Sequence, residues 1–170
     1  AGDIDRIEVI KGGAAATLEP LAEHLADYEQ HLALNFGAGV QACWRGPRLY
    51  DTDATRDLVK KWVAWFKRHR EILESDIVHV RRADGRDLDA WLHVNPRAKE
   101  RALAMVFNPR DVEASRTFDF PLYYAGLRAK AHVRERDGDA REIELDARQQ
   151  ARLEVTLPAR GFTWFVFEVR

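Results

Sequence analysis

Apolar residues recur at helical spacing between Thr52 and Ser75. They form one broad stripe, which comprises Leu58, Val59, Trp62, Val63, Phe66, Ile72 and Leu73. Thr52 is a residue type that caps helices, and Asp53 adds negative charge where the first backbone N–H groups are unpaired. The pattern therefore predicts an amphipathic helix whose apolar side packs against another part of the protein.

A second helical pattern precedes this one and predicts a helix over residues 17–33, with Thr17 as its N-cap. Its apolar positions repeat at three- and four-residue steps: Leu18, Leu21, Leu25, Tyr28 and Leu32. His24 and His31 lie seven positions apart in it, whereas zinc-binding pairs on helices prefer a spacing of four and a third ligand nearby. A solvent-facing or hydrogen-bonded role is favoured for both.

From Asp76 onward the apolar period changes to two, which is typical of strands. Turn residues such as Asp84-Gly85 and Asn95-Pro96 separate the segments. The segment 103–107 is apolar on both faces, as expected of a central strand. About eight short strands favour an antiparallel sandwich, and they are predicted at 77–80, 88–94, 103–107, 116–120, 131–135, 142–145, 153–157 and 162–169.

The segment between the two helices, residues 35–51, has the most unusual composition. After Gly37-Ala38-Gly39, a run of small residues with Val40, Ala42 and Cys43 predicts a short buried strand, and a tight turn with an aromatic ring and a guanidinium follows it. Such groups suit sugar recognition, because a ring stacks on the apolar face of a pyranose while polar groups hold its hydroxyls. The candidate substrate-binding residues are Gln41, Trp44, Arg45 and Asp51. A structural role, with Trp44 in the core and Arg45 paired to Asp51, is equally compatible with the sequence.

Other chemistries find less support in the sequence. The Gly37-Ala38-Gly39 stretch lacks the third glycine and the helix start of a phosphate-binding loop. Cys43 is the single cysteine, which excludes an internal disulfide and a multi-cysteine metal site. The histidines of the strands stand singly in different strands. We expect neither a metal site nor a cofactor.

Composition and charge narrow the range of partners. The 170 residues are 46% hydrophobic and 32% charged, enough for a substantial core, and the net charge of −1 gives no reason to expect nucleic acid or an anionic membrane surface as partner. No apolar run approaches the ~20 residues of a membrane span, and no secretory signal is visible at the start. The sequence does not indicate a cellular compartment.

The chain starts at Ala1 and its only methionine is Met105, so we expect a processed chain or a piece of a longer one.

The run NFGAGVQACWRGPRLYDTDATRDLVKKWVAWFKRHREIL resembles the end of a (β/α)-barrel glycoside hydrolase of the alpha-galactosidase (melibiase-like) type. The next segment, DIVHVRRADGRDLDAWLHVNPRAKERALAMVFNPRD, is similar to the start of the C-terminal β domain in large bacterial members. The resemblance covers nearly the whole chain beyond residue 17. It implies an α+β fold, in which residues 1–75 hold the last strand and helices of a (β/α)8 barrel and residues 76–170 form an antiparallel β-sandwich of about eight strands.

The resemblance also implies a function. Retaining glycosidases of this type use two aspartates at the ends of earlier barrel strands, and their carboxyl groups lie about 5–5.5 Å apart. No segment here matches those motifs, so no catalytic residue is predicted in this chain and the isolated chain is expected to hydrolyse nothing. Active sites of barrels lie at the C-terminal ends of the strands, which places the 44–45 turn at the sugar subsite. The expected partners are a carbohydrate substrate, through the longer enzyme, and the rest of the barrel.

Two alternatives remain open for the β-rich part. Residues 76–170 are also compatible with an independent carbohydrate-binding or interaction module, whose stacking surface would be formed by Trp91, Tyr123 and Tyr124. In the other alternative the β part only braces the barrel, through its contact with the 55–74 helix. Replacement of Trp91 by alanine separates a sugar-binding role from a packing role, since only the packing role predicts a large loss of stability.

Overall fold

The computed structural model describes residues 19–40 and 48–169. Within these ranges the chain forms two α-helices followed by eight strands. Their bounds are α1 Leu25–Gly37, α2 Asp53–Leu73, β1 Asp76–Arg81, β2 Asp89–Val94, β3 Glu100–Phe107, β4 Ala114–Pro121, β5 Lys130–Glu135, β6 Arg141–Glu144, β7 Gln150–Leu157 and β8 Phe162–Glu168. Short 3₁₀ helices cover Leu21–His24 and Leu122–Ala125.

The eight strands form two antiparallel sheets. One has six strands in the order β1-β2-β3-β8-β5-β6, and the other pairs β4 with β7. The two sheets share an apolar core, to which Leu92, Phe118, Phe120, Leu153 and Phe167 contribute. The prediction of eight short antiparallel strands is confirmed, and the arrangement is consistent with a sandwich.

Strand β3 is buried on both faces because it lies between two layers. Its residues Ala102, Ala104 and Val106 belong to the core between the sheets, while Leu103, Met105 and Phe107 belong to a second core shared with the helices. β3 pairs with β2 on one side and β8 on the other. The segment that is apolar on both faces is therefore a central strand, as predicted.

Helix α2 has the predicted start and packs on the six-stranded sheet. The backbone N–H of Thr55 donates to Thr52 Oγ1 over 3.3 Å, and the backbone N–H of Thr52 donates to Thr55 Oγ1 over 3.0 Å. The buried face includes Trp65 and His69, which the predicted stripe omitted. Three predicted members are only partly buried: Leu58, Val63 and Phe66. The buried face of α2 is therefore rotated relative to the predicted apolar stripe. The reason is that the position of the six-stranded sheet determines which side of the helix is buried.

Helix α1 departs from the predicted span of 17–33. A 3₁₀ turn comes first, the α-helix continues to Gly37, and Leu25 is exposed instead of facing the core. The predicted cap Thr17 lies outside the described residues. Residues 35–37, which the sequence assigned to the segment between the helices, are therefore helical, and Val40 of the predicted buried strand is half exposed. The division at residue 75 into two domains stays a prediction.

Candidate functional site

The predicted sugar-binding segment follows the C-terminal end of α1, and side chains of β2 hold this end in place. The carbonyl oxygen of Gly37 accepts hydrogen bonds from Trp91 Nε1 at 2.8 Å and from His93 Nε2 at 2.7 Å. A side chain at Gly37 would collide with Met105, since an added Cβ would lie 2.7 Å from its Cε. Strand β2 thus fixes the point at which the chain leaves α1.

His93 is fully buried at this anchor. Burial lowers the pKa of its imidazole, and interactions with the backbone of Gly37 and of Ser75 oppose this effect only partly. Since a carbonyl oxygen can only accept, Nε2 carries a proton and donates it to Gly37. Its Nδ1 makes no hydrogen bond of normal geometry with the described residues.

Gly39 brings the chain against the C-terminal end of α2. Its φ of +72° lies in the left-handed region, and an added Cβ would sit 2.0 Å from the carbonyl oxygen of Leu73. Both the backbone angle and the close approach require glycine. Gly39 is therefore held close to the C-terminal ends of both helices.

The other end of the segment is tied to the first half of α1. The hydroxyl of Tyr28 donates to the carbonyl oxygen of Leu49 over 2.7 Å. Burial raises the pKa of Tyr28 to about 12, and the negative charge of Asp51 adds to the increase. The hydroxyl therefore stays protonated and remains a donor across the physiological pH range.

Asp51, the one predicted site residue in the described part of the chain, is held by both helical regions. Its carboxylate accepts from the backbone N–H of Ala22 at 3.2 Å and from Thr55 Oγ1 at 3.0 Å. Partial burial raises its pKa, but these hydrogen bonds outweigh that effect and hold the pKa below the usual value. Gln41, Trp44 and Arg45 lie outside the described residues, as does any pairing of Arg45 with Asp51. That the four residues bind a substrate stays a prediction.

The three aromatic residues of the alternative sugar-stacking surface do not lie in equivalent environments. Trp91 stacks on Phe107, with ring centroids 5.0 Å apart, and its indole N–H donates to the carbonyl oxygen of Gly37. Tyr123 is 64% exposed and Tyr124 is 55% exposed. Trp91 therefore serves packing, whereas the two tyrosines remain available to solvent.

A buried histidine–carboxylate pair joins α2 to β3. His69 Nδ1 lies 2.7 Å from Glu100 Oε2, and its Nε2 accepts from Arg68 Nε over 3.2 Å. Because both ring nitrogens are engaged, the pair is a packing element with no nitrogen left for a ligand.

Across residues 19–40 and 48–169, no three or more His, Cys, Asp or Glu side chains are placed to hold a metal ion. In the same ranges no helix has the length and apolar character to cross a membrane.

A cavity of about 370 Å³ opens between α2, β8 and the turn after β5. Trp62, Trp65 and Trp164 line it, but these residues are only 1–4% exposed because their rings pack on one another. Lys61 and Arg68 at its rim are paired with Glu29 and Asp137. Trp65 Nε1 and Trp164 Nε1 are buried without a hydrogen-bond partner among the described residues, so two residues that line the cavity carry unsatisfied N–H donors.

The fold has counterparts among glycosidases. A Bacillus halodurans protein described as a candidate alpha-N-acetylgalactosaminidase superposes with a TM-score of 0.50 and 16% identity, over 84% of this chain and 31% of that one. The shared feature is the fold. The resemblance inferred from the sequence is confirmed at that level. The chain spans under a third of that protein's length.

Two further solved structures are similar to a lesser degree. The GH27 β-L-arabinopyranosidase of Geobacillus stearothermophilus, in complex with arabinose, has a TM-score of 0.48 and 11% identity over 71% of this chain and 25% of that one. AmyP in complex with maltose has a TM-score of 0.42 and 11% identity over 75% and 24%. No protein-family model and no curated protein matches the chain.

Proposed function

We propose that this chain is the C-terminal part of a retaining, alpha-galactosidase-like glycoside hydrolase. In this proposal its sheets brace a (β/α) barrel and residues 41–51 line the sugar subsite. The observation that carries the proposal is the shared fold, which aligns 84% of this chain with 31% of a glycosidase chain.

The contacts of the residues on either side of positions 41–47 support a role near a subsite. Before these positions, β2 holds the Gly37 carbonyl and Gly39 lies against the end of α2. After them, the Leu49 carbonyl accepts from Tyr28 and the Asp51 carboxylate accepts from Ala22. The proposal gives Asp51 a positioning role at the subsite.

Exposed apolar side chains on the helical side support packing against the remainder of a barrel. Five of them lie on α1 or on the parts of the adjoining segment that the structure describes: Leu25, Leu34, Val40, Leu49 and Tyr50. Leu25 and Leu34 lie nine positions apart on α1 and so project from opposite sides of it, which means that the five residues do not form one continuous patch. The proposal assigns them to separate contacts with the rest of the longer enzyme.

Sequencing of the coding DNA upstream of the Ala1 codon tests the origin of the chain. We expect the frame to continue for several hundred codons, with alternating strands and helices and two aspartates at strand ends. A start codon within a few residues of Ala1 would overturn the proposal. In parallel, the purified 170-residue chain should not hydrolyse an aryl α-galactoside while the complete product does, and turnover by the short chain contradicts the proposal.

The subsite assignment is tested in that complete enzyme. Trp44→Ala should lower kcat/KM by about fivefold or more, since a stacked ring contributes roughly 1 kcal/mol beyond its area and a 1.4 kcal/mol loss is a factor of ten. Trp44→Phe keeps an aromatic face and should retain most of the activity. Unchanged kinetics in Trp44→Ala, or an equal loss of thermal stability in both variants, would assign Trp44 to packing.

One observation supports the alternative function, an independent carbohydrate-binding or interaction module. Trp91 packs against Phe107 and bonds to Gly37, but Tyr123 and Tyr124 are exposed to solvent. The geometry of these two residues supports a binding site whether or not the chain belongs to a longer enzyme.

A further inference from the structure

Tyr123 and Tyr124 form an exposed aromatic corner at the end of β4. Their ring centroids are 5.6 Å apart and their planes meet at 78°. Both side chains are more than half exposed. The rings thus offer two faces at nearly a right angle, with a hydroxyl group on each.

The backbone beneath this corner is rigidly held. Leu122 and Ala125, on the same 3₁₀ turn, are fully buried, and the N–H of Leu122 donates to the carbonyl oxygen of Gln149 over 3.1 Å. Gly126 closes the turn at a φ of +71°, and its N–H donates to the carbonyl oxygen of Tyr123 over 3.0 Å. The two exposed rings are therefore presented by a fixed scaffold, which lowers the entropy cost of binding.

The size of the corner limits what it can bind. The two rings together expose roughly 240 Å², if a tyrosine side chain offers about 200 Å². A stable protein–protein interface needs about 800 Å² from each partner. Of the residues that follow, Ala125 and Leu127 are buried and the exposed ones include the charged Arg128 and Lys130, so the apolar area does not continue along the chain. An area this small fits one or two sugar rings and is too small for a protein partner.

We propose that Tyr123 and Tyr124 form a binding site for a neutral carbohydrate chain. One ring stacks on the C–H face of a pyranose, the perpendicular ring packs against its edge, and the phenolic hydroxyls exchange hydrogen bonds with sugar hydroxyls. No bond is made or broken at this site. The inference rests on these two residues alone and does not depend on the function proposed above.

Affinity electrophoresis of the whole 170-residue chain tests this proposal, with native gels that contain guar galactomannan, soluble starch or laminarin. We expect retardation in at least one gel relative to a gel without polysaccharide. Tyr123→Ala and Tyr124→Ala should each weaken binding by about tenfold. Tyr123→Phe and Tyr124→Phe keep the rings and should retain most of the retardation, which separates stacking from hydrogen bonding.

Val112→Ala is the matched control, because Val112 is 52% exposed and lies on the turn between β3 and β4. It should leave the retardation unchanged, and all alanine variants should melt close to the wild type, since surface substitutions change stability by about 0.5 kcal/mol or less. Absence of retardation in all three gels overturns the proposal, as does an equal loss in Val112→Ala. Self-association that Tyr123→Ala abolishes would instead assign the corner to a contact between copies. These outcomes are independent of galactoside hydrolysis, so failure here is distinguishable from failure of the proposed function.

Discussion

At the scale of single residues, His93 joins the fold of β2 to the geometry of the candidate site. Its imidazole is fully buried and donates to the carbonyl at the end of α1. Such a ring is stable in the fold only when neutral, because the charged form would lose its hydration and leave a buried charge. The hydrogen bond that holds the C-terminal end of α1 on β2 therefore depends on the protonation state of one side chain.

We expect His93 to make the folded state lose stability as the pH falls. Burial lowers its pKa in the fold, whereas an unfolded histidine binds a proton near pH 6.5. The unfolded state then holds more protons, so the free energy of unfolding declines as the pH falls below about 6.5. Urea unfolding between pH 7.5 and 5 measures this slope, and His93→Gln, which keeps an N–H donor but does not titrate, should flatten it.

His79→Gln is the control for that experiment, because His79 is exposed on β1. It should leave the slope unchanged. Asp89 contributes in the opposite direction: burial raises its pKa to about 6, with Arg81 opposing and Asp84 adding to the rise, so its ionisation destabilises the fold as the pH rises. This contribution is common to all the variants and cancels in their comparison. A slope in His93→Gln equal to that of the wild type would mean that His93 does not control the pH dependence.

At the scale of secondary structure, the strands and the cap of α2 could be predicted because their signals are local. Alternation and turn residues define β1 to β8, and Thr52 defines the start of α2. The end of α1 at Gly37 could not be predicted, since residues of β2 and β3 far along the chain determine it. The same holds for the burial of Trp65 and His69, which depends on the sheet beneath them. That residues 41–51 hold the site stays a prediction, and the contacts of Asp51 and Leu49 could not be predicted because their partners lie on other elements.

The junction between α1, α2 and the candidate segment makes Gly39 sensitive to substitution. Gly39→Ala should cost at least ~3 kcal/mol, or prevent folding, because strain at positive φ is joined by a collision with the Leu73 carbonyl. Gly85 has a similar φ of +69° but nothing within 4 Å of an added Cβ, so Gly85→Ala should cost only about 1 kcal/mol. Chemical denaturation of both variants separates collision from backbone strain. Equal losses in the two would remove the argument for a tight junction.

At the scale of the whole molecule, the six-stranded sheet separates two apolar cores. The core between the sheets has no residue from α1 or α2, whereas the other core joins both helices to β3 and β8. Among the described residues, strands β3 and β8 contribute side chains to both cores. We expect the helical layer to lose stability separately from the core between the sheets.

Trp62→Ala tests this division of the molecule. Trp62 is 1% exposed, packs edge-on against Trp65 and Trp164, and donates to Glu29 Oε1 over 3.2 Å. Its loss should destabilise the helical layer by about 3–5 kcal/mol, and Trp62→Phe, which keeps a ring, should lose much less. Hydrogen–deuterium exchange should then rise in peptides from α1 and α2 while β4 and β7 stay protected, because the core between the sheets has lost nothing. An equal rise in β4 and β7 would show a single cooperative unit.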